Sequence, residues 1–368
     1  MVLVVGGGPS GLLSSYHLCK MGVDVTLLEE DSTIGENPHC GGLVSADFWG
    51  KLGVTPRHDV VLNHINGFEL HIGSKSVHLL SRAPCALVIS RSLFDKYLYE
   101  LAKDAGSKVL LGLRAERIRA GGQGVEVKLA DNSFFKEDVV VLAEGLSRLL
   151  TLQVGGRPNG KALPSFQALV RGRGFDPRVA QVFLRGEMAP YYFAYFIPIS
   201  EDAGRLGVIS NKADPSKVCE KIMRTLGFAQ VKRYKKWGVW LHGPIKHPSA
   251  RGVLLVGDAG GFTKPLTGGG VVWGGVSARI AAEAICHSSS QDLLENYLSL
   301  SRRTFWLEAR AQALFRRLLL GPSSYRVLNL LFEGKGSAQN ILGEIDYDFP
   351  FSRSLPPFRC LTGKELLK

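Results

Sequence analysis

The stretch VLVVGGGPSGLLSSYHLCKMGVDVTLLEED, residues 2–31, constrains the fold more than any other. It reads as a buried strand, a glycine turn, an amphipathic helix and a second strand with an acidic end. Gly6 permits the sharp turn, Gly8 lets backbone approach a pyrophosphate, and Gly11 lets the helix pack closely on the strand. Ser10 opens the helix, whose positive N-terminus suits the pyrophosphate. Glu29 stands where a carboxylate accepts hydrogen bonds from a ribose, with Glu30 the weaker candidate beside it. The chain therefore opens as a dinucleotide-binding unit.

A second glycine-rich segment, ARGVLLVGDAGGFTKPLTGGGVVWGGVSARIAAEAI, occupies residues 250–285. An NAD site is usually completed within one contiguous domain, whereas two distant grips suit FAD. Asp258, at a strand end, would accept hydrogen bonds from a ribityl chain. Backbone NH groups from Thr267 to Val271 would face the pyrimidine edge of a flavin, and Gly268, Gly269 and Gly270 leave room for it.

Composition bounds the rest. A chain of 368 residues, 45% hydrophobic and 21% charged, buries a sizeable core and is not disordered. Its net charge of +12 suits an anionic partner or a solvated basic surface. The six cysteines contain no CxxC pair and no Cys/His cluster of metal-ligand spacing, so no metal is expected. No signal peptide and no run of about 18 apolar residues is seen. The expectation is a cytoplasmic protein, with peripheral contact at the inner face of a membrane left open.

These segments together resemble the FAD-dependent proteins of the para-hydroxybenzoate hydroxylase fold. VISRSLFDKYLYELAKDAG, residues 88–106, is similar to that family's arginine-bearing helix start, which implies Arg91 near the flavin phosphates or ribityl chain. Ala115 is implied as a further cofactor contact. Where the family usually has an Asp-Gly pair, this chain has Glu144-Gly145, a departure that weakens the aromatic hydroxylase branch.

Three segments point to the geranylgeranyl reductase branch, which includes the archaeal digeranylgeranylglycerophospholipid reductases. IGENPHCGGLVS resembles that branch's flavin-proximal Cys-Gly segment at Cys40, Gly41, Gly42 and Ser45. PYYFAYFIP, residues 190–198, is similar to its Pro-x-x-Tyr-x-Trp-x-Phe-Pro pattern, with Phe193, Tyr195 and Ile197 at the large apolar positions and both prolines kept. GDAGGFTKPLTGGGV resembles its flavin loop. On a strand, Phe193, Tyr195 and Ile197 share one face, a ridge suited to an isoprenoid chain or to ordinary core packing. Pro265 is a further substrate candidate.

The fold class expected is α/β: a Rossmann-like FAD-binding domain (1–60, 85–150 and 250–286) interleaved with a sheet-rich α+β substrate domain (61–84 and 151–249) and followed by a C-terminal helical region (287–368). The resemblance implies an FAD enzyme that saturates isoprenoid double bonds, with Cys40 as candidate catalytic residue or as a small filler under the flavin ring. The electron donor is left open among NAD(P)H, ferredoxin and a quinol. Nucleic acid is not expected as a partner. The rivals are a monooxygenase or halogenase on the same fold and a flavin-containing isoprenoid carrier without catalysis. The basic helix ENYLSLSRRTFWLEARAQALFRRLLL suits either an anionic membrane surface or packing on the protein with a solvated face.

Overall fold

The computed structural model describes residues 1–36, 39–72, 75–122, 124–184, 193–234, 236–320, 338–339 and 346–351. Much of the expected C-terminal region, and Pro190 of the PYYFAYFIP segment, lie outside them.

The opening fingerprint folds as its pattern dictates, with strand Val2–Val5, helix Pro9–Lys20 and strand Val25–Leu28. These two strands lie within a five-stranded parallel sheet ordered Val253–Leu255, Val139–Leu142, Val2–Val5, Val25–Leu28, Lys108–Leu110. Its strands are apolar runs because both faces are covered. Val4, Leu27, Val141 and Leu254 pack under the helices Pro9–Lys20, Arg91–Asp104 and Val271–His287. Leu3, Val5, Leu142 and Leu255 pack on Ile118, Val125 and Val127 of an antiparallel three-stranded sheet. The 250–286 segment thereby joins the N-terminal unit in space: its strand extends the same sheet, and its helix lies on Pro9–Lys20.

A second, nine-stranded sheet is largely antiparallel. Its middle runs Leu163–Arg171, Ala203–Ile209, Phe193–Pro198, Val179–Leu184, Gly67–Ile72, Lys75–Leu80. Helix Pro215–Leu226 covers one face, packing Cys219, Ile222 and Met223 on Phe166, Phe196 and Leu206. The other face looks toward the parallel-sheet unit. Of the residues 61–84, Val61–Ile65 pairs with Ala86–Ile89 in a small sheet that also holds Leu43–Ser45. That small sheet carries the Cys40 loop to the boundary between the two large ones.

Helix Leu293–Leu320 packs on Val271–His287 through Tyr297 and Phe305. Residues 346–351 return beside it, with Phe349 stacked on Trp273 at 5.7 Å. No helix among the described residues is long and apolar enough to cross a membrane.

Candidate functional site

The first turn is shaped by contacts that forbid side chains. Gly6 has φ +110°, and a Cβ there would fall 2.4 Å from the Ala143 carbonyl oxygen. A Cβ on Gly11 would fall 1.8 Å from the Gly6 oxygen, so helix and strand touch through backbone. Gly8, the residue before the helix, has open space where its side chain would be. Ser10 turns the other way, its Oγ against Gly257 and Gly274. Glu29 directly follows the second strand; its carboxylate accepts from the Gly7 NH and, at 2.8 Å, from the Asp31 NH. Burial raises its pKa despite those bonds. Ala115 begins a strand two residues beyond Leu113, whose NH donates to the Glu29 carbonyl at 2.8 Å.

The second glycine segment closes on the first. Asp258 follows strand Val253–Leu255 and sits beside Gly270, where a Cβ would lie 2.8 Å from its Oδ1. Its carbonyl accepts from Arg148 at 2.6 and 3.1 Å, and Arg148 is stacked 3.8 Å over Trp240. No hydrogen bond to the Asp258 carboxylate is made among the described residues, and burial raises its pKa against the pull of Arg148 and Arg91. Gly269 and Gly270 lead into helix Val271–His287, whose first NH groups have no side-chain cap.

Between these two grips lies the Cys40 loop. The Cys40 sulfur accepts from the Gly42 NH at 3.3 Å and lies beside the Arg91 guanidinium. Arg91 starts helix Arg91–Asp104 and is clamped by Asp95 at 2.9 and 3.0 Å. Burial opposes its charge, but Asp95 and Cys40 outweigh burial and raise its pKa. Gly42 has φ +70°; a Cβ there would meet the Ile89 oxygen at 2.4 Å and the Arg205 guanidinium at 2.3 Å. Arg205 donates to the carbonyls of Gly41 (2.8 Å) and Ile89 (3.1 Å). A polar cavity of about 320 Å³ opens here, with Cys40, Ser90, Arg91, Gln167, Arg205 and Tyr234 in its lining.

Phe193, Tyr195 and Ile197 share the sheet face toward this loop. Gly41 abuts them, a Cβ there falling 3.0 Å from Ile197 and 3.5 Å from Tyr195. The Tyr195 hydroxyl donates to Gln167 at 3.0 Å. None of the three lines the cavity, because other side chains cover them: Phe193 packs with Ile209, Leu241 and Leu319, and Ile197 with Ile65 and Val88. Pro265 is buried near Gly243, its carbonyl accepting from Arg316 at 2.8 Å, while its neighbour Leu266 joins the Phe193 cluster.

Residues 1–139 match the FAD binding domain family. The chain is 27% identical over 356 residues to digeranylgeranylglycerophospholipid reductase 2 of Methanothermobacter thermautotrophicus, covering 91% of this chain and 92% of that one. It is 29% identical to the digeranylgeranylglycerophospholipid reductase of Methanocaldococcus jannaschii, covering 92% and 90%. The chain is an FAD-binding protein similar to these reductases over most of its length. Its fold matches a geranylgeranyl bacteriochlorophyll reductase-like protein from Thermoplasma acidophilum with a TM-score of 0.81, at 22% identity over 89% of each chain. A flavin-dependent brominase matches at 0.69, with 19% identity over 90% of this chain and 92% of that one.

The residues present fit FAD. An open Gly8 at a helix N-terminus suits the pyrophosphate, and an Asp258 carboxylate that takes no hydrogen bond from the described residues suits a ribityl hydroxyl. Sequence reasoning passed over Arg205, Gln167, Lys264 and the 346–351 segment. Arg205 had a signal: an arginine within a strand, flanked by Gly204 and Gly207, whose missing side chains admit the Phe196 and Tyr195 rings. Glu144 has a local task that accounts for its place before Gly145. Its carboxylate accepts from the NH groups of Leu150 (2.9 Å) and Thr151 (2.6 Å), capping helix Leu149–Gln153.

Proposed function

We propose that this chain is an FAD-dependent reductase that saturates carbon–carbon double bonds of geranylgeranyl chains, in archaeal-type membrane glycerophospholipids or prenyl diphosphates. The observation that carries the reading is the Cys40–Gly41–Gly42 loop, set between Arg91 and the Tyr195–Ile197 face. The names of the curated relatives support the same substrate class.

FAD, when bound, supplies hydride chemistry. An isolated alkene has no carbonyl to polarise, so the protein's task is alignment and exclusion of water. In this reading Gly6, Gly8, Ser10, Gly11, Glu29 and Ala115 hold the adenylate and pyrophosphate half, and Arg91 and Asp258 the ribityl chain. Gly269, Gly270 and Val271 hold the ring's polar edge. Cys40, fixed by the Gly42 NH and Arg91, sits at the substrate side and positions the alkene or delivers the proton that completes its reduction. Phe193, Tyr195, Ile197 and Pro265 form the apolar packing behind the Cys40 loop and the cavity, covered by neighbouring side chains in the protein without substrate. NAD(P)H, ferredoxin or a quinol-linked donor supplies electrons.

The test is anaerobic. The purified protein is reduced chemically, a geranylgeranyl lipid is added, flavin reoxidation is followed and the lipid is weighed. The expected outcome is reoxidation with a gain of about two mass units per bond, and a Cys40→Ser variant that reoxidises more than tenfold slower. A flavin that stays reduced until oxygen is admitted would overturn the reading. The fold likeness to a flavin-dependent brominase favours a halogenase as the second reading, and halogenated product would establish it.

A further inference from the structure

The described residues bury one lysine fully, and nothing in the site as built so far uses it. Lys264 lies in the loop between Asp258 and helix Val271–His287, and its side chain is 2% exposed. Its Nζ lies 2.7 Å from Oδ1 of Asp348, itself 3% exposed, and 3.7 Å from the centre of the Tyr347 ring. The other carboxylate oxygen of Asp348 accepts from the Ser45 NH at 2.8 Å, in the strand that follows the Cys40 loop. Lys51 holds the neighbouring Asp346 at 2.5 Å, and the Trp273 indole donates to the Asp348 carbonyl at 2.9 Å. The short segment 346–351 thus ties the two loops of the site together.

Lys264 also touches the glycine loop itself. Its NH donates to the Gly269 carbonyl at 3.0 Å, and its carbonyl accepts from the Gly268 NH at 2.8 Å. A Cβ on Gly269 would fall 2.6 Å from Cε and 3.2 Å from Nζ of Lys264. The ammonium therefore stands directly behind the loop, near the uncapped start of helix Val271–His287, with the Asp348 carboxylate offsetting its charge.

Buried ion pairs add little to stability, and apolar replacements of similar volume commonly serve as well. A fixed charge in a low-dielectric interior does act on any neighbour whose charge changes. A flavin ring gains electrons on reduction, so a cation behind it favours the reduced form and a balancing anion opposes that.

We propose that the Lys264–Asp348 pair is a charge-balancing device that sets the reduction potential of the bound flavin, with Lys264 favouring the reduced form and Asp348, delivered by the 346–351 segment, offsetting it. This rests on the reading of Gly269–Val271 as the ring's cradle.

The experiment measures midpoint potentials of the FAD-loaded full chain by equilibration with a reference dye from pH 5 to pH 8, so that loss of the proton from an unpaired buried lysine shows as a pH dependence of the shift. Asp348→Asn keeps shape and an acceptor for the Ser45 NH. It is expected to shift the equilibrium at least tenfold toward reduced flavin, about 30 mV for a two-electron couple. Lys264→Met should shift it at least tenfold the other way, and the double variant should return within threefold of the parent. Single variants that move together, move less than threefold, or merely lose FAD would overturn the device and leave the pair a structural tie. The reductase reading fails separately: potentials that move as expected in a protein that never reduces lipid would sink that reading and keep this one.

Discussion

Gly8 and Gly11 differ in what a methyl group would meet. At Gly11 it would strike the Gly6 carbonyl, so Gly11→Ala is expected to cost about 3 kcal/mol of stability by overpacking. At Gly8 the protein leaves space, so Gly8→Ala should keep the melting temperature within a degree or so while FAD affinity falls at least tenfold, as read by fluorescence titration. Equal FAD affinity in Gly8→Ala and parent would remove the pyrophosphate from that turn. His247 illustrates another residue-scale effect. Its Nδ1 donates to the Pro248 carbonyl, and its Nε2 accepts from the Leu255 NH at 3.1 Å, so the ring is held neutral. Burial lowers its pKa from 6.5 to about 4. Below pH 6.5 the unfolded chain takes a proton that the folded one refuses, so stability falls as pH drops toward 4 and then levels. The loss is roughly 3 kcal/mol for a shift of this size. Denaturant titrations across that window should show the slope, reduced in His247→Gln.

At the scale of elements, the short helix Leu149–Gln153 depends on one side chain. Its first NH groups would be unpaired without the Glu144 carboxylate, and Thr151 Oγ1 donates to the same group at 2.7 Å. Glu144→Ala should therefore cost about 1–2 kcal/mol, the usual worth of such a cap, measured by chemical denaturation. FAD affinity should change little, since the Asp258 carbonyl is held by Arg148 from the following turn. The regular elements of the fingerprint were legible because their periods are short-range: an all-apolar strand, a glycine turn and an amphipathic helix occupy 2–28 as read. The arginine-bearing helix was legible too, and Ser90 caps it by accepting from the Leu93 NH.

For the molecule as a whole, charge and shape meet on helix Leu293–Leu320. Arg302, Arg303, Arg310 and Arg317 are exposed alongside Trp306 (53% exposed), Leu307, Leu314 (59%) and Leu318. This mixture suits the interface of an anionic bilayer, where each basic residue near the surface is worth about 1 kcal/mol. Co-sedimentation with anionic vesicles at low salt is expected, falling steeply as salt rises. Changing the four arginines to glutamine should abolish it. Binding that ignores both salt and these substitutions would assign the helix face to some other role.

The amino-acid sequence by itself determined the strand–turn–helix–strand opening, the α/β class and the return of the 250–286 segment to the N-terminal unit. Those are properties of local period, backbone permissiveness and spacing. Tertiary structure alone decided which side chains meet across the boundary between the sheets. Arg205 reaches Gly41 from a strand far along the chain, Asp348 reaches Ser45 and Lys264, and Phe193 and Ile197 are covered by side chains that no strand pattern announces. Alternation along a strand says which residues share a face, but what that face meets depends on how distant segments pack, and burial then fixes whether a charge there needs a partner.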